Sequence, residues 1–167
     1  MKLLIIGHAR HGKDTAAEML EGLYGYKAKS SSLAAAEIFI YDELKDKYGY
    51  TTPEQCFEDR VNHRPEWFIM IVDYNKDDKA RLAKDIMKSA DIYTGMRSNE
   101  EVEECLKQEI FDWVIGIYDP RKPLEPESSF NINIWERSDF IVPNAQGLDD
   151  LLRRLTKLYP VLAPSAI

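Results

Sequence analysis

Apolar positions along the chain alternate between short unbroken runs and longer stretches at helical spacing. The first run, Lys2 to Ile6, holds four successive large aliphatics and is closed by Gly7, the pattern of a strand buried on both faces. Lys13 to Tyr24 follows, with Ala16, Met19, Leu20 and Leu23 on one helical face. Tyr26 to Ser32 predicts a short second strand, and Leu33 to Tyr48 a helix ending near Gly49. Pro53 opens another helix with Phe57 and Val61 on one side. Arg64 to Ala90 divides into two helices. Trp67, Phe68, Met70, Ile71 and Tyr74 make the first apolar nearly all round, and Leu82, Ala83, Ile86, Met87 and Ala90 stripe the second.

Asp91 to Gly95 and Trp113 to Tyr118 read as further strands, separated by a helix over Asn99 to Glu109 whose acidic first turn suits the helix dipole. Arg121 to Ser129, with Pro123 and Pro126, reads as a loop, Phe140 to Val142 as a short strand, and Gly147 to Leu158 as a closing helix with a leucine face. Strands alternating with helices predict an α/β domain around a parallel sheet of about five strands. The all-helical stretch from about 33 to 90 fits a lobe inserted between two strands, and 119–130 a lid-like loop. At 167 residues the expectation is one domain with this small insert.

Composition narrows the partners. Lys and Arg number 22 against 29 Asp and Glu, a net charge of −7, which disfavours a bulk affinity for nucleic acid. No apolar run approaches the roughly 20 residues of a membrane helix, and the start of the chain lacks the apolar core of a secretion signal. Cys56 and Cys105 show no paired-ligand spacing, so a reduced, cytoplasmic setting is expected.

The most informative stretch is Gly7-His8-Ala9-Arg10-His11-Gly12-Lys13-Asp14-Thr15. Its Gly-x4-Gly-Lys spacing follows a buried strand and opens a helix, the setting in which backbone N–H groups turn inward around phosphate oxygens. Gly7, Ala9, Arg10, His11, Gly12, Lys13, Asp14 and Thr15 are therefore the candidate ATP-binding residues, with the Lys13 ammonium on the β and γ phosphates. Asp14 stands where such loops carry Ser or Thr. A carboxylate is a hard oxygen ligand, so Asp14 is the candidate for Mg²⁺. Only three histidines are present and no Cys/His cluster surrounds His8 and His11, so zinc chemistry is not expected.

Gly12-Lys13-Asp14-Thr15 resembles the loop of phage-type deoxynucleoside monophosphate kinases. Tyr93-Thr94-Gly95-Met96-Arg97-Ser98-Asn99-Glu100-Glu101-Val102 is similar to the strand-end pattern of those kinases, several of which carry Asp where this chain has Gly95. Ser138 to Leu148 resembles the final strand, Asn-x-x-Gly turn and leucine-rich helix of the same kinases and of dephospho-coenzyme A kinases. The resemblance implies a three-layer P-loop NTPase fold and transfer of a phosphoryl group from ATP, with Mg²⁺, to a (deoxy)nucleoside monophosphate. It also implies a monomer or homodimer, with Asn144 and Gly147 bordering the adenine. A kinase of another small metabolite, such as dephospho-coenzyme A, and a non-catalytic nucleotide-binding protein are the alternatives.

Phosphoryl transfer is catalysed by positioning two anions and neutralising their charge, which directs attention to arginines. Arg97 falls beyond a predicted strand end, where open α/β sheets place ligands. In the helical lobe Arg60 and Arg64 are four apart, so a continuing helix would present both on one face to an acceptor phosphate. Trp67 beside them is either a core residue or a flat surface for a base. The alternative for this cluster is a wet surface on which Glu58, Asp59 and Glu66 pair with the cations. Arg121 sits where nucleotide kinases carry lid arginines, so Lys13, Arg97 and Arg121 are the catalytic candidates, and Ser128 and Ser129 could add hydroxyl contacts. Asp119, at a strand end, ranks below Asp14 as a metal ligand. The acidic run Glu100 to Glu104 reads as a solvated helix face.

Overall fold

Four strands after the first take their places around it. In the computed structural model, which describes residues 1–163, β1 (Leu3–Ile6) is followed by α1 (Lys13–Tyr24), β2 (Ala28–Ser30), α2 (Ser31–Ala35) and α3 (Tyr41–Tyr48). The chain continues through α4 (Pro53–Asp59), α5 (Arg64–Tyr74), α6 (Arg81–Ile86), β3 (Ile92–Thr94), α7 (Asn99–Lys107) and β4 (Trp113–Tyr118). It ends with α8 (Ile134–Arg137), β5 (Phe140–Pro143), α9 (Leu148–Thr156) and α10 (Tyr159–Leu162). The five strands form one all-parallel sheet in the order β2-β3-β1-β4-β5. The expected α/β fold class is therefore the observed one.

Period-two alternation in β1 divides the core into two layers. Leu3 and Ile5, with Ile92, Ile115 and Ile117, face α1 and α9 through Ala16, Leu20, Leu151 and Leu155. Leu4 and Ile6, with Tyr93 and Val114, face the helical segments through Ala35, Ile40, Trp67, Leu82 and Val102. Because β1 is central and covered on both sides, all four of its residues are fully buried. That placement also puts the loop after β1 in the middle of the sheet's carboxyl edge, where a ligand meets the most elements.

Several helical details depart from the pattern-based expectation. The helix expected from Leu33 begins at Ser31 and contains a π-helical turn over Ala36–Ile40 before ending at Gly49. The helix opened by Pro53 stops at Asp59, passes through a 3-10 turn at Arg60–Asn62 and breaks at His63, leaving Val61 exposed. Phe68, Ile69 and Val72 on α5 are exposed, so that helix is not enclosed all round. Leu23 of α1 and Leu148 of α9 likewise lie outside the core. No helix of the described residues is long and apolar enough to cross a membrane.

Candidate active site

The segment after β1 turns sharply enough to need residues in the left-handed region. Arg10 has φ 65° and Gly12 has φ 98°, and α1 begins at the next residue, Lys13. A Cβ at Gly12 would also collide with the Asn144 side chain, so glycine is required there twice over. Asn144, from the turn after β5, donates its Nδ2–H to the His11 carbonyl at 3.0 Å, and its own N–H goes to the Tyr118 carbonyl at 2.8 Å. The turn after β5 is thus stitched directly to the loop after β1. Gly147, three residues on, takes φ 92° and precedes α9.

Both loop histidines have structural duties. His11 is fully buried; its Nδ1 accepts the Asp119 N–H at 3.0 Å and its Nε2 faces the Pro123 carbonyl at 3.1 Å. Those partners call for a neutral ring protonated on Nε2. The His8 Nδ1 accepts the Glu125 N–H at 3.0 Å, and the ring packs against Phe130 with centroids 4.3 Å apart. Burial, then the neighbouring His11, holds the His8 pKa below its ordinary value. Among the described residues no group of three His, Cys, Asp or Glu side chains is arranged to hold a metal.

The two histidines tie the 119–130 segment to the loop, and Glu125 completes the tie. Its Oε2 accepts the Ala9 N–H at 2.7 Å, and its Oε1 pairs with the Arg97 guanidinium. Arg97 Nε donates to the Ser129 carbonyl at 2.9 Å, and the Arg97 carbonyl accepts the Asn131 N–H at 3.2 Å. An internal carboxylate is therefore held between a loop amide and an arginine, two of the donors that an oxyanion of a bound phosphate needs. Nothing in the sequence marks Glu125 beyond its position between two prolines.

Arg121 is placed differently. Its guanidinium makes a two-pronged contact with Asp119 at 2.9 and 2.8 Å and touches the Asn144 carbonyl at 3.2 Å. Those bonds hold the Asp119 carboxyl at a pKa of about 2. Asp119 is thereby a structural partner of Arg121, with both carboxylate oxygens engaged.

A cleft of about 1070 Å³ joins the loop to the helical segments. Its lining takes Ala9, Lys13 and Asp14 from the loop and the start of α1, Arg97, Glu125 and Ser128–Ser129 from the segments after β3 and β4, and Arg60, Arg64 and Trp67 from the helical segments. The structure thus brings together Ala9, Lys13, Asp14, Arg60, Arg64, Trp67 and Arg97. It leaves Gly7, Arg10, His11, Gly12, Thr15, Arg121, Asn144 and Gly147 outside that lining. Gly95, at φ 95°, lies against Ser31, whose hydroxyl donates to its carbonyl at 3.2 Å. A Cβ there would come within 2.6 Å of the Ser31 Oγ, which accounts for glycine where the resembled family carries Asp.

Arg60 and Arg64 meet in the cleft for a reason other than the expected one. The helix does not continue between them; a 3-10 turn at Arg60–Asn62 and His63, at φ −131°, separate α4 from α5, and both arginines line the cleft. The alternative, a surface on which the acids pair with the cations, holds for His63 with Asp59 but not for Arg60 or Arg64 among the described residues. Asp59 takes bonds from Tyr50, Asn62 and His63, Glu66 from Lys47 and Tyr48, and Glu58 is exposed. Arg60 stacks on Phe57 with its guanidinium carbon 3.8 Å from the ring centroid and donates to the Phe57 carbonyl at 2.7 Å. Burial and then the like charge of Arg64 lower the Arg60 pKa. Two adjacent cations without a carboxylate are favourable once an anion sits between them. Trp67 takes the core reading, 4% exposed and packed in the core, and is also among the residues lining the cleft.

The acidic run of α7 is not uniformly a solvated face. Glu101 is partly buried and lines the cleft with Tyr93 and Thr94. Burial pushes its carboxyl up to about 7.

Comparison with known proteins reaches the fold. A scan against protein-family models and a search of curated proteins both return no match. Among solved structures, TT1252 from Thermus thermophilus aligns over 98% of each chain with a TM-score of 0.53 and 17% identity. A dephospho-CoA kinase from Campylobacter jejuni aligns over 97% of each chain with a TM-score of 0.48 and 14% identity. At 17% identity the first likeness is one of fold alone.

Proposed function

We propose that this chain is an ATP-dependent kinase that phosphorylates a (deoxy)nucleoside monophosphate to the diphosphate. The observation that carries the reading is the seat occupied by Glu125, an anion held by the Ala9 N–H and Arg97 at the loop end of a cleft whose far wall has two unpaired arginines. One cleft with two separate anion sites fits a reaction between two phosphate-bearing molecules. ATP takes the loop end. Its γ-phosphate replaces the Glu125 carboxylate, and Lys13 neutralises charge on the β and γ oxygens. The acceptor phosphate lies between Arg60 and Arg64, with its base against the aromatic wall.

An oxygen of the acceptor phosphate attacks the γ-phosphorus in line as the bond to the β-phosphate bridging oxygen breaks and ADP leaves, so no protein nucleophile is required. Arg97, freed from Glu125, faces the transferring group and holds its charge. The 119–130 segment closes over the phosphates and keeps water from competing as the nucleophile. Asp14 fits Mg²⁺ in its chemistry: it is exposed on the cleft at the start of α1 and makes no hydrogen bond to the described residues. The ion is ordinarily held by one or two carboxylates together with phosphates and water. When bound, Mg²⁺ supplies charge neutralisation on the phosphate oxygens.

A coupled ADP-release assay tests this, run with Mg·ATP and a panel of ribo- and deoxyribonucleoside monophosphates beside dephospho-coenzyme A. Monophosphate-dependent ADP release is expected. Release with dephospho-coenzyme A alone makes the acceptor a different metabolite, and ATP binding without release makes the chain a nucleotide-binding protein.

A further inference from the structure

The glutamates at the start of α7 share a helix and differ in their partners. Glu100 faces Lys79 at 3.8 Å, Glu103 pairs with Arg137, and Glu104 accepts the Gln108 amide at 2.7 Å. Glu101 alone turns into the cleft, beside Ser31, Tyr93 and Thr94, and its carboxyl has no hydrogen bond or ion pair among the described residues. The residue is half-buried on the cleft, so a donor carried by a ligand would meet a carboxyl that no described residue engages, whereas Gln108 shows that a surface glutamate on this helix finds a partner. Burial pushes the group's pKa up to about 7.

We propose that Glu101 sets acceptor specificity by receiving hydrogen bonds from a donor edge of the acceptor, the N–H groups of its base or a hydroxyl of its sugar. This rests on the reading of the cleft as the seat of a phosphorylated acceptor. The remaining lining fits such a molecule: Arg60 and Arg64 for the phosphate, and Phe57, Trp67 and Phe68 for a planar group. A carboxylate accepts two parallel N–H bonds, in the fork it uses toward a guanidinium. Guanine offers that pair as an adjacent imino and amino group; hypoxanthine keeps the imino group and lacks the amino group. A base with the full pair is therefore the favoured acceptor.

The test is kcat/KM for guanosine, inosine and adenosine monophosphates, each as ribo and deoxy forms, and thymidine monophosphate. It is run on the wild-type chain, Glu101→Gln and Glu101→Ala, with thermal midpoints measured alongside. Wild type should favour guanosine over inosine monophosphate by about tenfold or more, the effect of losing one hydrogen bond to a charged group. Both variants should fold, should keep the wild-type KM for ATP, and should bring that ratio to within about twofold. If the ratio erased by the variants is instead ribo against deoxy, the donor is the sugar hydroxyl and the proposal stands. The same ranking in all three proteins overturns it while leaving the kinase reading intact. Turnover of no monophosphate by wild type removes both.

Discussion

The two ends of the cleft hold their cations in different ways. At the loop end Arg97 is paired with Glu125, and Arg121 nearby with Asp119, so the guanidinium groups already have carboxylates. At the helical end Arg60 and Arg64 have none among the described residues, although Asp59 and Glu66 lie within a few residues and bond elsewhere. Under the proposed function, the loop end would be an anion site kept filled by the protein itself, where binding exchanges one anion for another. The helical end would be an anion site left open, where binding relieves repulsion between like charges. ATP would then displace a latch, whereas the acceptor would meet a vacant pair.

Lys13 gives the largest contrast between the ends. Its ammonium lines the cleft at the loop end, and it should act on charge that develops during transfer. Lys13→Ala should lower kcat by about 10²-fold or more, by analogy with loss of one preorganised donor, with the fold intact. Near-normal turnover in the folded variant would leave the glycine loop without its proposed role.

The latch predicts a smaller effect of opposite sign. Glu125→Gln keeps the side-chain shape and removes the competing charge, so an ATP analogue should bind more tightly. Arg97 is partly exposed, which confines the gain to about fivefold or less, and added salt should shrink it. Weaker binding in Glu125→Gln would make the carboxylate a helper of nucleotide binding and end the description of a latch.

The smallest expected effect is on stability at the Arg121 side of the loop. Asp119 has its pKa lowered to about 2 by the Arg121 bonds, so its contribution is present above the unfolded carboxylate pKa and fades as pH falls toward the folded value. Between about pH 4 and pH 2 the wild-type thermal midpoint should fall more steeply than that of Asp119→Ala. Parallel curves would mean that the ion pair carries no acid-labile stability.

How much of this was legible beforehand differs between the same two regions. The loop end depends on residues adjacent in sequence, and the spacing of Gly7, Gly12 and Lys13 after a four-residue aliphatic run marks it directly. The three inner strands β1, β3 and β4 were legible for a related reason, since a central parallel strand must be apolar on both faces, whereas the edge strand β2, Ala28–Ser30, carries no such run. The helical end depends on where helices stop. His63 breaks a stretch whose periodicity reads as continuous, and Arg60 and Arg64, on either side of the break, line one cleft. Glu125 and Glu101 were invisible for another reason. Glu125 reaches Ala9 across 116 residues, and nothing local distinguishes Glu101 from its three neighbouring glutamates. Contacts of that span follow from the fold, and the pattern of a single segment does not contain them.

The central claim is that the two ends serve two different phosphates. Paired equilibrium titrations on Arg60→Ala and Arg64→Ala test it most directly, one with an ATP analogue and one with the preferred monophosphate. Monophosphate binding should weaken by roughly 10- to 150-fold, the range for a lost hydrogen bond to a charged group, while ATP-analogue binding changes by less than about twofold. Loss of ATP-analogue binding in these variants, or unchanged binding of both ligands, would contradict the assignment of the helical end to the acceptor.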